Sequence, residues 1–164
     1  MRILHGEEEQ QALEYITLAA DVAKKATCER SRCGSIIVID NQIIGEGYNS
    51  PPNEDENQRR CEREKASYHI KVTDKTCCIH AEQRSIMDAL KTNPDKIIGS
   101  SLYFVRLNEE GEPMQANEPY CTICSKMALD SGVSEFVLWH DEGITVYDTK
   151  EYNLLSFEFG KIKD

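Results

Sequence analysis

The sequence predicts an α/β fold with helices packed on a central sheet. Three observations lead there: one amphipathic segment near the start, several short β-branched runs spaced along the chain, and two further helical segments alternating with the later runs. From about Glu8 to Lys25, Leu13, Ile16, Ala20 and Ala23 share a helical face, with acidic residues early and lysines late as the helix dipole favours. Gly34-Ser-Ile-Ile-Val-Ile-Asp40, Asn41 and Gln42-Ile-Ile-Gly-Glu-Gly-Tyr48 follow, two strand-like runs joined by an Asp-Asn turn signal, and they read as an antiparallel hairpin.

Residues 50–79 carry Pro51, Pro52, an acidic Asn53-Glu-Asp-Glu-Asn57 and a mixed-charge stretch. A weakly patterned insertion of that length in a small domain implies a purpose or an anchor of its own. His80 to Lys91 reads as a helix stopped before Pro94, with Ile86, Ala89 and Leu90 inward. Ser101-Leu-Tyr-Phe-Val-Arg-Leu107 reads as a strand, Thr122 to Asp130 as a short helix closed by Gly132, and Ser134-Glu-Phe-Val-Leu-Trp139 as the next strand. The order is α-β-β-α-β-α-β. In the C-terminal segment, 141–164, Ile144–Tyr147 and Leu154–Phe159 are both strand candidates, with room for a helical turn between them.

Composition bounds the function. A chain of 164 residues without repeats or a Pro/Gly/Ser linker fits one domain, 1–164. No apolar run approaches the ~20 residues of a membrane span, and the first residues lack the apolar core of a secretory signal, so a cytoplasmic protein is expected. In a reducing compartment, seven cysteines point to metal binding or chemistry rather than disulfides. The net charge of −10 disfavours nucleic acid, which calls for a basic stripe, while a few arginines can still form a pocket for a small anion.

The strongest chemical signal is His80-Ala-Glu82 at one helix start combined with Cys121-Thr-Ile-Cys124 at another. One histidine and two cysteines leave zinc a ligand short, the open coordination of a catalytic site with water in the fourth place. Helix N-termini favour the thiolate forms that bind metal. Glu82, two residues from His80, is then placed to move protons without ligating the metal.

His80, Glu82, Cys121 and Cys124 match the His-x-Glu and Cys-x-x-Cys signature, and here the chain resembles the zinc-dependent cytidine/deoxycytidylate deaminase superfamily. Arg32-Cys-Gly-Ser-Ile-Ile-Val-Ile-Asp40 and Ile43-Ile-Gly-Glu-Gly-Tyr-Asn-Ser-Pro-Pro52 resemble the deoxycytidylate deaminase form of the first hairpin, so the likeness spans roughly residues 8 to 140. It implies a three-layer α-β-α sandwich around a central mixed five-stranded sheet. It also implies hydrolytic deamination of a cytosine nucleotide or nucleoside, deoxycytidylate-like substrates favoured, with release of ammonia. Zinc at His80, Cys121 and Cys124, Glu82 as proton shuttle, Asn49 as a nucleoside contact and a homo-oligomer follow from the same likeness. A turn former after a strand is the competing role for Asn49.

The usual proline directly before the first cysteine is displaced here, since Tyr120 stands between Pro119 and Cys121. The loop there is longer or differently turned, and Tyr120 becomes a candidate to stack on or gate the base. Arg84 either reaches a phosphate or stays on the helix surface, and Arg30, Arg32, Arg59, Arg60 and Arg63 are further phosphate candidates. Deoxycytidylate deaminases of this kind often hold a second, structural zinc between the pre-hairpin cysteine and the insertion. Cys28 stands in that place, and Cys61, Cys77, Cys78 and His69 can complete the site, against the alternative of free buried thiols. A purine or nucleic-acid deaminase and a catalytically silent zinc-stabilised binding module are the rival functions.

Overall fold

The structure is a computed structural model that describes residues 1–61, 63–69 and 78–159. Its elements, in order, are β1 (Arg2–Ile3), α1 (Glu7–Ala23), β2 (Arg32–Ile39), β3 (Gln42–Tyr48), α2 (Ala81–Thr92), β4 (Ser101–Leu107), β5 (Pro113–Met114), α3 (Thr122–Ser131), β6 (Glu135–His140), β7 (Gly143–Asp148) and α4 (Thr149–Glu158). Of the 50–79 insertion, three single 3₁₀ turns are described, at Pro52–Glu54, Glu56–Gln58 and Lys65–Ser67.

One mixed sheet runs β1-β7-β6-β4-β2-β3, with β5 pairing on β4. Among the described residues, β4 and β6 alone pair in parallel, through Ser101↔Glu135 to Tyr103↔Val137; the other pairs are antiparallel. The sheet has seven strands where five are expected. The difference is β1 and β5, two residues each: β1 pairs with Val146 and Thr145 far along the chain, and β5 folds back on the end of β4, neither forming a run long enough to read as a strand.

Side chains alternate across the sheet, as a period of two requires. Ile36, Val38, Val105, Val137, Ile144 and Val146 meet Ala12, Ile16, Ala19, Ala20 and Ala23 of α1 on one face. Ile37, Leu102, Phe136 and Leu138 meet Ile86, Ala89, Ala128 and Tyr152 from α2, α3 and α4 on the other. The result is the α-β-α layering expected. Leu13 and Leu90, expected inward, are 40% and 42% exposed, because small alanines let the two helices press the sheet closely and leave the leucines at the rims.

Glycine makes that approach close enough. A Cβ on Gly34 would stand 2.2 Å from the Ala19 carbonyl of α1, and one on Gly47 would stand 2.2 Å from the Ala81 carbonyl and 2.3 Å from the Ser85 nitrogen. Gly47 therefore sets how near the first turn of α2 comes to β3. The β2–β3 turn carries Asp40 and Asn41 at φ 48° and 58°, the left-handed conformation that short polar residues tolerate in two-residue hairpins.

The C-terminal segment departs from expectation at Leu154–Phe159, read as a strand: Leu154 to Glu158 continue a helix, and Phe159 follows its end. Asp148 caps α4, its side chain accepting from the main-chain N–H groups of Lys150 (2.9 Å) and Glu151 (3.4 Å). Tyr152 and Ser156, four residues apart, supply the buried stripe, and Tyr152 stacks on Phe136 with ring centroids 4.0 Å apart. No helix among the described residues is long and apolar enough to cross a membrane.

Candidate active site

His80 is the residue before the first turn of α2, with extended backbone (φ −70°, ψ 154°), and its N–H donates to Gln83 Oε1 at 3.1 Å. Cys121 holds the same position on α3, where its sulfur accepts from the Cys124 N–H at 3.3 Å. The chain leaves α3 through Gly132 in the left-handed conformation, as the sequence predicts. Two helix starts thereby converge. His80 Nδ1 lies 3.2 Å from Cys124 Sγ and 3.4 Å from Cys121 Sγ, and the two sulfurs are 2.6 Å apart.

A borderline-soft divalent ion fits this donor set of one imidazole nitrogen and two thiol sulfurs, zinc above all, and three protein donors leave one position open. The pair of thiols is already polarised. Cys121 is held down to about 5, chiefly by the hydrogen bond from the Cys124 thiol, with burial opposing and the His80 ring assisting. Cys124, as the donor of that bond and a buried group, is pushed the other way.

Glu82 is 6% exposed, and burial pushes its carboxyl up to about 7, with the negative charge of Cys121 adding and His80 opposing. It faces a cavity of about 250 Å³, whose walls also include His80, Asn49, Cys33, Phe104, Arg106 and Tyr120. Asn49 is buried, its Oδ1 accepting from the Cys33 N–H and its Nδ2 donating to the Ser31 carbonyl, both at 2.8 Å. It thus ties the end of β3 to the start of β2 while forming part of the wall. Tyr120 stands at the rim, half exposed, its ring 5.4 Å from that of Phe159. Cys33 is a half-buried wall thiol, pushed up to about 12 by its desolvation.

Arg84 lies elsewhere. Its Nη2 donates to the Pro51 carbonyl at 2.8 Å and its guanidinium lies over the Tyr48 ring, so it pins the insertion to α2 and does not line the cavity. Arg30 reaches the wall, yet it donates to the Cys61 carbonyl (3.1 and 2.6 Å) and the Arg63 carbonyl (2.8 Å). Arg32 donates to the Asn108 and Glu109 carbonyls, and Arg59 and Arg60 are bonded within the insertion and to Thr27. Arg106 is the wall residue that the sequence reading missed. Alternation along β4 could have found it, since it falls on the side of Phe104 and Leu102.

A second cluster opens on the same cavity. The sulfurs of Cys28, Cys61 and Cys78 lie within 4.8 Å of one another. Cys28 is held down to about 5, first by a hydrogen bond from Cys78, against burial, and then by the main-chain N–H groups of Arg30 and Ser31. Sulfur cradled by main-chain donors is the environment of a metal-binding thiolate. His69 is exposed and is not part of this group, and Cys77 lies outside the described residues.

The family model of the cytidine and deoxycytidylate deaminase zinc-binding region matches residues 9–140. A deoxycytidylate deaminase of Mycobacterium phage D29 is 27% identical over 129 residues, 75% of this chain and 89% of the phage protein. The crystal structure of the cyanophage S-TIM5 dCMP deaminase with dCMP and dUMP shares the fold at TM-score 0.55 and 24% identity, over 81% of this chain and 82% of that one. Cytidine deaminase of Burkholderia pseudomallei does so at TM-score 0.55 and 18% identity, over 85% and 94%. With His80, Glu82, Cys121 and Cys124 all inside the matched region and gathered at one cavity, the chain belongs to the cytidine and deoxycytidylate deaminase family of zinc-dependent hydrolytic enzymes.

Proposed function

We propose that the protein deaminates a cytosine mononucleotide, dCMP-like, to the uracil nucleotide with release of ammonia. The observation that carries this is the buried Glu82 carboxylate beside a convergent His80, Cys121 and Cys124, all at one cavity. That cavity, about 250 Å³, is slightly smaller than the usual small-ligand sites of about 300–1,000 Å³ and suits a single nucleotide rather than a polymer. The net charge of −10 points the same way, as does the 27% identity to a deoxycytidylate deaminase.

His80, Cys121 and Cys124 would hold one zinc, which supplies the Lewis acidity that makes water a nucleophile at neutral pH. Glu82 accepts the proton that water gives up as its oxygen bonds to C4, and hands it to ring N3. It takes the remaining proton to the amine as the C4–N4 bond breaks and ammonia leaves. Burial keeps bulk water from competing for those transfers. Asn49 fixes the wall against which the sugar lies, and Tyr120 borders the base.

A second zinc at Cys28, Cys61 and Cys78 would anchor the insertion. The chain is further proposed to work in the cytoplasm as a homo-oligomer, for which the exposed Leu154, Phe157 and Phe159 of the C-terminal segment offer apolar surface.

The test is ammonia release across cytosine and purine nucleosides, nucleotides and oligonucleotides, with Glu82→Gln beside the wild type. A cytosine mononucleotide should be turned over best. The variant should retain its metal and fold while losing about 10²- to 10⁴-fold in rate, the usual contribution of general acid–base catalysis. Wild-type rates in zinc-loaded Glu82→Gln, or single-stranded DNA deaminated while free nucleotides stay inert, would overturn the proposal.

A further inference from the structure

Arg106 is exposed near the end of β4 and lines the cavity that holds Glu82. It also borders the open depression outside it, with Arg32, Asn108 and Glu109, so it stands where the cavity meets solvent. Its register partner on β2 is Cys33, whose N–H is the one held by Asn49. Cys33 lines the same cavity as Glu82 and Arg106. Glu82, Cys33, Asn49 and Arg106 thus line one cavity, and of these four Arg106 is the one that also borders the outer depression.

The other arginines near this wall are committed to main-chain carbonyls: Arg30 to Cys61 and Arg63, Arg32 to Asn108 and Glu109. Arg106 makes no side-chain hydrogen bond or ion pair among the described residues. A planar fork with no such partner among the described residues, at the mouth of a cavity, is unusual in a protein carrying −10, where carboxylates are plentiful. The fork matches the bidentate geometry of a phosphate, and a dianion entering so acidic a protein needs a local positive charge.

We infer that Arg106 recognises the phosphate of the bound cytosine mononucleotide, with the base against Glu82 and the sugar beside Asn49, and so sets the preference for nucleotide over nucleoside. This rests on the function proposed above.

The experiment compares wild type, Arg106→Gln and Arg106→Lys with dCMP and deoxycytidine. The ratio of kcat/KM for nucleotide over nucleoside should fall about 10- to 100-fold in Arg106→Gln, mainly through KM, as expected for loss of charge-assisted hydrogen bonds. Arg106→Lys should keep part of the ratio as a point charge. Inorganic phosphate, titrated by calorimetry, should bind wild type more tightly than Arg106→Gln. An unchanged ratio, or an equal fall for both substrates, overturns the inference and leaves the deaminase function standing. If wild type deaminates no cytosine compound, that function fails, and the phosphate titration alone decides Arg106: equal binding by wild type and Arg106→Gln overturns its role.

Discussion

The two cysteine clusters open on one cavity, yet they are built from different material. His80, Cys121 and Cys124 sit on the starts of α2 and α3, whose Ile86, Ala89 and Ala128 are clamped in the core on one face of the sheet. Cys28 stands in the connection between α1 and β2, and Cys61 and Cys78 belong to the insertion, among whose described residues regular structure is limited to single 3₁₀ turns and the Ser50–Ile79 bridge. The first cluster inherits its geometry from helices that would form without it. The second gathers loop segments that are tied by individual contacts, such as Arg30 with the Cys61 carbonyl, Arg59 with the Thr27 carbonyl and the Ser50–Ile79 bridge, rather than by a helix. Metal binding by such a site is folding free energy for the loops it joins.

Replacing one ligand in each cluster separates the two roles, and this is where the largest effect is expected. Cys121→Ser should strip most metal from the first site. Removing even an outer partner of a metal ligand costs about 10- to 100-fold in affinity or activity, so loss of a direct ligand should cost more than that. The fold should persist. Cys28→Ser should instead remove metal from the second site, lower Tm and cost less activity than Cys121→Ser. Elemental analysis, melting and ammonia release on both variants check this. Equal melting points with equally abolished activity would show that the clusters do not divide the work in this way.

The same contrast explains what could be read in the sequence. His80, Glu82, Cys121 and Cys124 were legible because helix geometry converts a short spacing into a fixed position in space, so residue type and interval sufficed. The Cys28 group was legible only as a set of candidates. Its members are brought together by loop paths that no periodicity encodes, and His69 falls outside the resulting group. Arg84 looked suitable for phosphate because it follows the motif on α2, but two positions beyond Glu82 it turns to the Pro51 carbonyl. Arg106 was passed over inside a run read for its apolar residues. At the C-terminus, Leu154, Leu155 and Phe157 suggested a strand because they are apolar, whereas the fold buries Tyr152 and Ser156 and leaves those three exposed.

Glycine substitutions probe the helix-borne cluster through its support. In Gly47→Ala the new Cβ meets main-chain atoms of Ala81 and Ser85, which cannot rotate away, so the first turn of α2 must shift. Overpacking of this kind costs about 1–3 kcal/mol, and the shift moves His80 and Glu82 with it. Gly34→Ala meets the Ala19 carbonyl just as closely, at 2.2 Å, but under α1 on the other side of the sheet. Both variants should melt earlier, and only Gly47→Ala should also weaken zinc retention at the first site against a chelator. If Gly34→Ala releases that metal as readily, the site depends on overall stability and not on the seating of α2.

The smallest effect is expected at the start of α4, and it asks whether the cluster on α3 depends on its outer neighbour. Asp148 supplies the side-chain oxygen for two otherwise unpaired N–H groups of α4, and its replacement by alanine removes that cap. Such losses are about 0.5–2 kcal/mol. For a chain of this length that corresponds to a fall in Tm of about 2–4 °C per kcal/mol. The helix should nevertheless stay in place, because Tyr152 remains stacked on Phe136 and Ser125 Oγ remains bonded to Asn153 Oδ1 at 2.9 Å. The turn that carries the metal ligands is closed by its own bonds, Cys124 N–H to Cys121 Sγ and Ser125 N–H to the Cys121 carbonyl at 2.9 Å, neither of which passes through α4. Asp148→Ala should therefore lower Tm by a few degrees while metal content and deamination stay near those of the wild type. Loss of zinc or of activity out of proportion to the melting shift would show that α4, and not the α3 turn alone, holds Cys121 and Cys124 in position.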